Sequence, residues 1–168
     1  MMTSFIDNPI EIRLLNTADV NDLMSLSYRM DNINGNTLVL ENGQDIDYWH
    51  LEEYRNTCTY YLLAEGDIDA EYCLTAYESH SHWQPVVLEP RLDGERRQLW
   101  RIINHPNGHY VINNLKYLDK YLSHLPIDSL SDDQKRVMIS PPQEVIGMGE
   151  VMMHWYFVPK EGSDSVSE

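Results

Sequence analysis

Thr59-Tyr60-Tyr61-Leu62-Leu63-Ala64, then Glu65-Gly66-Asp67, then Ile68-Asp69-Ala70-Glu71-Tyr72-Cys73-Leu74-Thr75-Ala76-Tyr77 is the stretch that decides the fold. Two runs rich in strand formers flank a short acidic turn with glycine, which is a hairpin signature. Outward from it, Ile10, Ile12 and Leu14 alternate with Glu11 and Arg13 as in a half-buried strand. Thr37 to Leu40 forms another, bracketed by Asn34-Gly35 and Asn42-Gly43. Residues 84–88, with Pro85 near their start and Pro90 just beyond their end, read as an edge strand or loop. Residues 99–103 and 109–112 surround His105-Pro106-Asn107-Gly108 as a second hairpin. Residues 150–158 alternate with apolar and aromatic side chains on both faces, as a central strand does.

Helical spacing enters between these strands. Asn16 or Thr17 caps a predicted helix over 18–30 with Val20, Leu23 and Met24 on one face, and a shorter one fits 46–54. Asn113 or Asn114 opens a third, with Leu115, Leu118, Leu122 and Leu125 in line and Pro126 as its stop. Ser131 and Gln134 make a capping box for a fourth over 132–138. Hairpins mixed with helices, without regular alternation or an internal repeat, predict an α+β fold. The expectation is one antiparallel sheet of about five to six strands with three to four helices. One globular domain over 1–159 and a flexible acidic tail over 160–168 complete it.

Charge is the strongest functional signal. The 168 residues hold 27 Asp plus Glu and 12 Lys plus Arg, a net charge of −15. Residues 1–89 hold 16 acidic and three basic side chains, and residues 90–168 hold 11 and nine. No Lys or Arg occurs from 56 to 90; then Arg91, Arg96, Arg97 and Arg101 arrive close to Asp93 and Glu95, where local pairing is expected. Direct nucleic-acid binding through the acidic half is excluded, because phosphate contacts need cations. No apolar run reaches the roughly 18 residues of a membrane-spanning helix, and the first residues lack an export pattern. Two cysteines, Cys58 and Cys73, fit a reduced cytoplasmic setting.

Three histidines are the candidate metal ligands. His80 and His82 point to one side of an extended segment, with Glu78 beside them, Glu89 later and His109 beyond. This order faintly resembles the cupin family, and the resemblance implies a metal-dependent enzyme using His80, His82 and His109. The spacings differ: Glu89 follows His82 by seven positions, and His109 directly follows Gly108. The opening strand, polar cap and helix of residues 10–30, with the 59–77 hairpin, partly resemble the acetyl-coenzyme A acetyltransferases and imply a degenerate domain of that kind. Its glycine-rich strand-to-helix turn has only Gly147-Met148-Gly149 to stand for it, before a strand. No cofactor is expected, and the cysteines sit where acidic neighbours would raise a thiol pKa rather than activate it.

Eleven Tyr and four Trp against two Phe is a skewed choice of ring, and tyrosines concentrate in the acidic stretch. Tyrosine anchors rimmed by carboxylates suit a basic protein surface. The sequence therefore predicts an acidic, non-enzymatic binding protein that blocks a cationic, nucleic-acid-binding-type surface of a partner protein. Phage-encoded inhibitors, nucleic-acid mimics and toxin-immunity proteins share this style. The partner-facing residues are predicted to be Asp45, Asp47, Glu52, Glu53, Glu65, Asp67, Asp69 and Glu71 with Tyr61 and Tyr72; a homodimer is compatible with the same surface.

Overall fold

The structure, a computed structural model, describes residues 9–14, 25–31, 35–41, 48–65, 72–78, 84–106, 108–124, 137–142, 144–145, 149–150 and 153–159. The strands are β1 (Ile10–Leu14), β2 (Ser25–Asp31), β3 (Gly35–Glu41), β4 (Trp49–Glu53), β5 (Tyr60–Ala64), β6 (Tyr72–Ala76) and β7 (Gln84–Pro90). They continue as β8 (Trp100–Asn104), β9 (Tyr110–Asn114), β10 (Tyr121–Ser123), β11 (Met138–Ser140), β12 (Glu144–Val145), β13 (Gly149–Glu150) and β14 (Trp155–Pro159). The one helical element among the described residues is a 3-10 turn, Arg96–Gln98. The chain is all-β, and the α+β expectation is corrected.

The pairings β1–β4, β4–β5, β5–β8, β8–β9, β9–β14 and β14–β1 close a barrel. Three hairpins, β2–β3, β6–β7 and β10–β11, stand off it and meet through β3–β7 and β7–β11. β12 and β13 form a separate small sheet between β11 and β14.

A threefold repeat underlies this arrangement. β1–β4, β5–β8, and β9–β11 with β14 each contribute two barrel strands and one hairpin. Their first strands start at Ile10, Tyr60 and Tyr110, 50 residues apart. Each starting residue lies opposite the tryptophan that opens the last strand of its repeat: Ile10 and Trp49, Tyr60 and Trp100, Tyr110 and Trp155. The three indoles are fully buried. Each donates its Nε1–H to a leucine carbonyl on the second strand of its repeat: Trp49 to Leu26 at 3.1 Å, Trp100 to Leu74 at 3.1 Å and Trp155 to Leu122 at 3.0 Å. An indole buried with its donor satisfied fills the core and ties barrel to hairpin at once. Leu26, Leu51, Leu62, Leu74, Ile112, Leu122 and Ile139 pack around them.

The helix expectations fail for specific reasons. Over 46–54, Trp49 and Leu51 are buried and Glu52 is exposed, a period of two that the apolar count alone conceals. Within 18–30, the described part is β2, paired with β3 along seven register positions. Asn113 and Asn114 are turn-makers rather than helix openers. Asn114 Oδ1 accepts from the Lys116 and Tyr117 amides, as a cap does, but its Nδ2 donates to the Arg97 carbonyl. Asn113 Nδ2 donates to the Leu118 and Lys120 carbonyls, so the chain folds back into β10 after one turn. Of the 132–138 helix only Val137 and Met138 are described, and Met138 begins β11. β7 is no edge, since it pairs with β6, β3 and β11. The two strands read from 59–77 are present as β5 and β6, which among the described residues share the one pair Leu63 and Cys73. β5 runs mainly along β4, and β6 along β7.

Candidate functional site

The turn between β4 and β5 has an unusual backbone. Arg55, Asn56 and Cys58 take positive φ values of 46°, 57° and 60°, sparsely populated for residues with a Cβ. The strain is held by hydrogen bonds. The Tyr54 amide donates to the Thr59 carbonyl at 2.8 Å, the Thr57 amide to the Tyr54 carbonyl at 3.0 Å, and the Cys58 amide to Glu53 Oε2 at 3.0 Å. Facing this turn is the loop 91–95. There the Tyr61 hydroxyl donates to the Leu92 carbonyl and accepts from the Gly94 amide, both at 3.0 Å. Gly94 sits at φ +72°, which strains any residue with a Cβ, and a Cβ there would also displace the Tyr54 hydroxyl, 2.9 Å away.

Between turn and loop lies an open groove of about 460 Å³ lined by Glu52, Glu53, Tyr54, Arg55, Tyr61, Arg91 and Asp93. Tyr54 and Tyr61 meet edge to face at 5.9 Å. Arg91 pairs with Glu52 and lies over the Tyr61 ring at 5.4 Å. Arg55 pairs with Asp93 at 2.8 Å and lies over Tyr54 at 5.0 Å. Burial, then the Asp93 carboxylate and Tyr54, push the Tyr61 phenol above its ordinary pKa, against the Gly94 amide and Arg91. It therefore stays a neutral donor at physiological pH.

Of the partner-facing residues read from the sequence, the structure brings Glu52, Glu53 and Tyr61 together here. Glu65 lies apart at the end of β5, where its amide donates to the Tyr48 carbonyl at 3.0 Å. Tyr72, at the start of β6, packs on the core. Asp45, Asp47, Asp67, Asp69 and Glu71 lie outside the described residues. Tyr54 and Arg55, which directly follow Glu53, complete the groove with Arg91 and Asp93, which reach Glu52 and Arg55 from 39 and 38 positions away. The expected unneutralised acidic face is corrected for Glu52 and Glu89. Arg91 covers the first, and Arg97 reaches Glu89 at 3.7 Å and Glu95 at 3.4 Å. Arg101 bonds Asn113 Oδ1 from Nε and Nη2 instead. The described residues hold 13 acidic and nine basic side chains, so most of the acidic excess belongs to the rest of the chain.

Of the candidate metal ligands, only His109 is among the described residues. His109 is buried beside His105 and His154, while His80 and His82 lie outside the described residues. No group of three His, Cys, Asp or Glu among the described residues is placed to hold a metal ion. The acetyltransferase-like reading falls with the α+β fold, since β2 stands where its first helix was expected to end.

A closed barrel with three hairpins in threefold repeat is the β-trefoil architecture, and solved structures agree. The chain is similar to the designed three-fold symmetric protein ThreeFoil, at TM-score 0.65 and 18% identity, over 90% of this chain and 99% of that one. It is similar to cytolethal distending toxin from Actinobacillus actinomycetemcomitans, at TM-score 0.64 and 13% identity, over 94% and 95%. A third structure, the BEL β-trefoil, gives TM-score 0.60 at 13% identity, over 91% and 93%. These likenesses define the fold, and none bears on an inhibitor, mimic or immunity role. No protein-family model and no curated protein sequence matches the chain.

Proposed function

We propose that this chain is a recognition domain that binds, without catalysis, a partner protein presenting a cationic surface, and that the groove between the β4–β5 turn and loop 91–95 is where that surface docks. One observation supports this most. Three carboxylates, Glu52, Glu53 and Asp93, converge with two tyrosine rings on a turn held in a strained conformation by its own hydrogen bonds. Strain of this kind collects where a surface must keep a set shape. The Arg55–Asp93 pair does not close the site. Arg55 and Asp93 are 67% and 73% exposed, and exposed ion pairs contribute only about 0–1 kcal/mol, so an incoming Arg or Lys exchanges with them at small cost. The net charge of −15 adds long-range attraction for such a partner.

The test uses a nonaarginine peptide as probe. Its affinity is expected to fall about tenfold or more between low and high salt. Glu52→Gln with Asp93→Asn is expected to weaken binding about fivefold or more, whereas Asp119→Asn plus Glu78→Gln, the same charge change elsewhere, stays within about twofold. Arg91→Ala, which frees Glu52, is expected to strengthen it. Equal losses in the two double variants would reduce the effect to bulk charge and overturn the assignment.

A further inference from the structure

Three imidazoles meet where the third repeat closes, and none lines the groove. His105 and His109 flank the β8–β9 turn with rings stacked, centroids 4.3 Å and planes 16° apart. The His105 amide donates to the His109 carbonyl at 2.7 Å, and the Gly108 amide to the His105 carbonyl at 3.0 Å, so the turn itself fixes both. His154, immediately before β14, stands edge-on to them, 4.4 Å from His109 and 5.3 Å from His105. His109 is 4% exposed. Both of its ring nitrogens, with Nδ1 of His105 and Nδ1 of His154, are buried without a hydrogen-bond partner among the described residues.

The fold does not demand this. The positions equivalent to His109 and His154, before the first strand and before the tryptophan of each repeat, are Pro9 and Tyr48 in the first and Thr59 and Leu99 in the second. Only the third repeat puts two imidazoles there, beside Tyr110 and Trp155, the one register pair of β9 with β14 among the described residues.

Neutral imidazoles pack as aromatic rings, but a proton on any of them creates a charge with other histidines as its neighbours. Burial, then His105, holds His109 below the ordinary histidine pKa; burial, then His109 and His105, does the same to His154. On the surrounding strands the titratable or charged side chains are Arg101 on β8, bonded to Asn113, Tyr110 on β9, stacked on Phe157, and Tyr156 on β14. Glu11 and Arg13 of β1 occupy register positions opposite Val158 and Tyr156. Among the described residues the charges that act on His109 and His154 are other histidines, and no carboxylate is one of them.

We propose that His105, His109 and His154 form an acid-sensitive clasp, which closes the β8–β9 turn against the start of β14 when neutral and loosens that seam when protonated. The sign follows from linkage. Burial holds His109 and His154 below the unfolded value of about 6.5, so the unfolded chain binds more protons in between. The clasp's contribution is complete above about pH 6.5 and is lost as the pH falls through the folded values.

Hydrogen exchange at the Tyr110 and Trp155 amides, corrected for intrinsic rate, tests this together with histidine proton NMR from pH 8 to 5. Opening at this seam is expected to increase about tenfold or more between pH 7 and pH 5, with His109 and His154 titrating below about 6.5. In His154→Gln the dependence flattens; His105→Gln serves the same purpose should that variant not fold. Titration of both histidines at or above about 6.5, or parallel pH dependence in wild type and variant, would overturn the clasp. So would stabilisation at pH 7 by zinc alone that is lost in His154→Gln, which would make the cluster a metal site.

Discussion

Trp100→Ala is expected to destabilise the fold by about 3–5 kcal/mol, a large part of the stability of a domain this size, measured by chemical denaturation. The side chain is fully buried, and its Nε1–H is the donor to the Leu74 carbonyl at 3.1 Å. Truncation therefore opens a cavity and leaves that carbonyl without the donor, and partial collapse around the site does not restore both. Trp100→Phe separates the two costs, since it keeps most of the volume and removes only the donor. It is expected to cost about 1–3 kcal/mol. Trp49→Phe and Trp155→Phe should fall in the same range, because Leu26 and Leu122 accept the equivalent bonds. A neutral phenylalanine variant at any of the three would show that the indole bond does not hold barrel to hairpin in that repeat.

Gln98→Ala is expected to cost about 2–4 kcal/mol and also to disturb the groove. The side chain is fully buried. Its Nε2 donates to Thr75 Oγ1 at 3.2 Å and to the Pro90 carbonyl at 2.9 Å, while its Oε1 accepts from the Leu92 amide at 2.8 Å. Pro90 and Leu92 bracket Arg91, so this one amide sets the position of the loop that carries Arg91 and Asp93. Removing it leaves buried groups unpaired, at about 1–3 kcal/mol each with partial compensation. Gln98→Glu keeps the shape but turns the donor end into an acceptor, and is expected to be nearly as damaging. A loss below about 1 kcal/mol for Gln98→Ala would mean that the loop is held by other contacts.

Local patterns carried the strands well and the architecture poorly. β1, β3, β5, β8 and β9 were legible because alternation and turn residues are short-range signals that the barrel respects. The helices were misread where an apolar spacing of three or four coincided with turn-forming asparagines, as at Asn113 to Leu122. Leu118 there is exposed and Leu122 buried on β10. The repeat escaped because it lives in a few core positions. Ile10, Tyr60 and Tyr110 share a spacing, and so nearly do Trp49, Trp100 and Trp155, while the segments between them have diverged. Those tryptophans also explain part of the aromatic skew that suggested surface anchors, since a ring with a donor is what each buried leucine carbonyl requires. Three of the partner-facing residues read from charge and tyrosine content, Glu52, Glu53 and Tyr61, line one groove. It could not show that Arg91 crosses from β7's end to Glu52, because that contact depends on how β4, β5 and β7 are arranged in space.

The docking role of the groove is tested most directly by following backbone amide shifts in the wild-type protein as the nonaarginine peptide is added. Shifts centred on residues 52–55 and 91–94, saturating together and reversed by salt, are the predicted result. Shifts of equal size spread over the surface, or centred on another face while these residues stay unmoved, would contradict it.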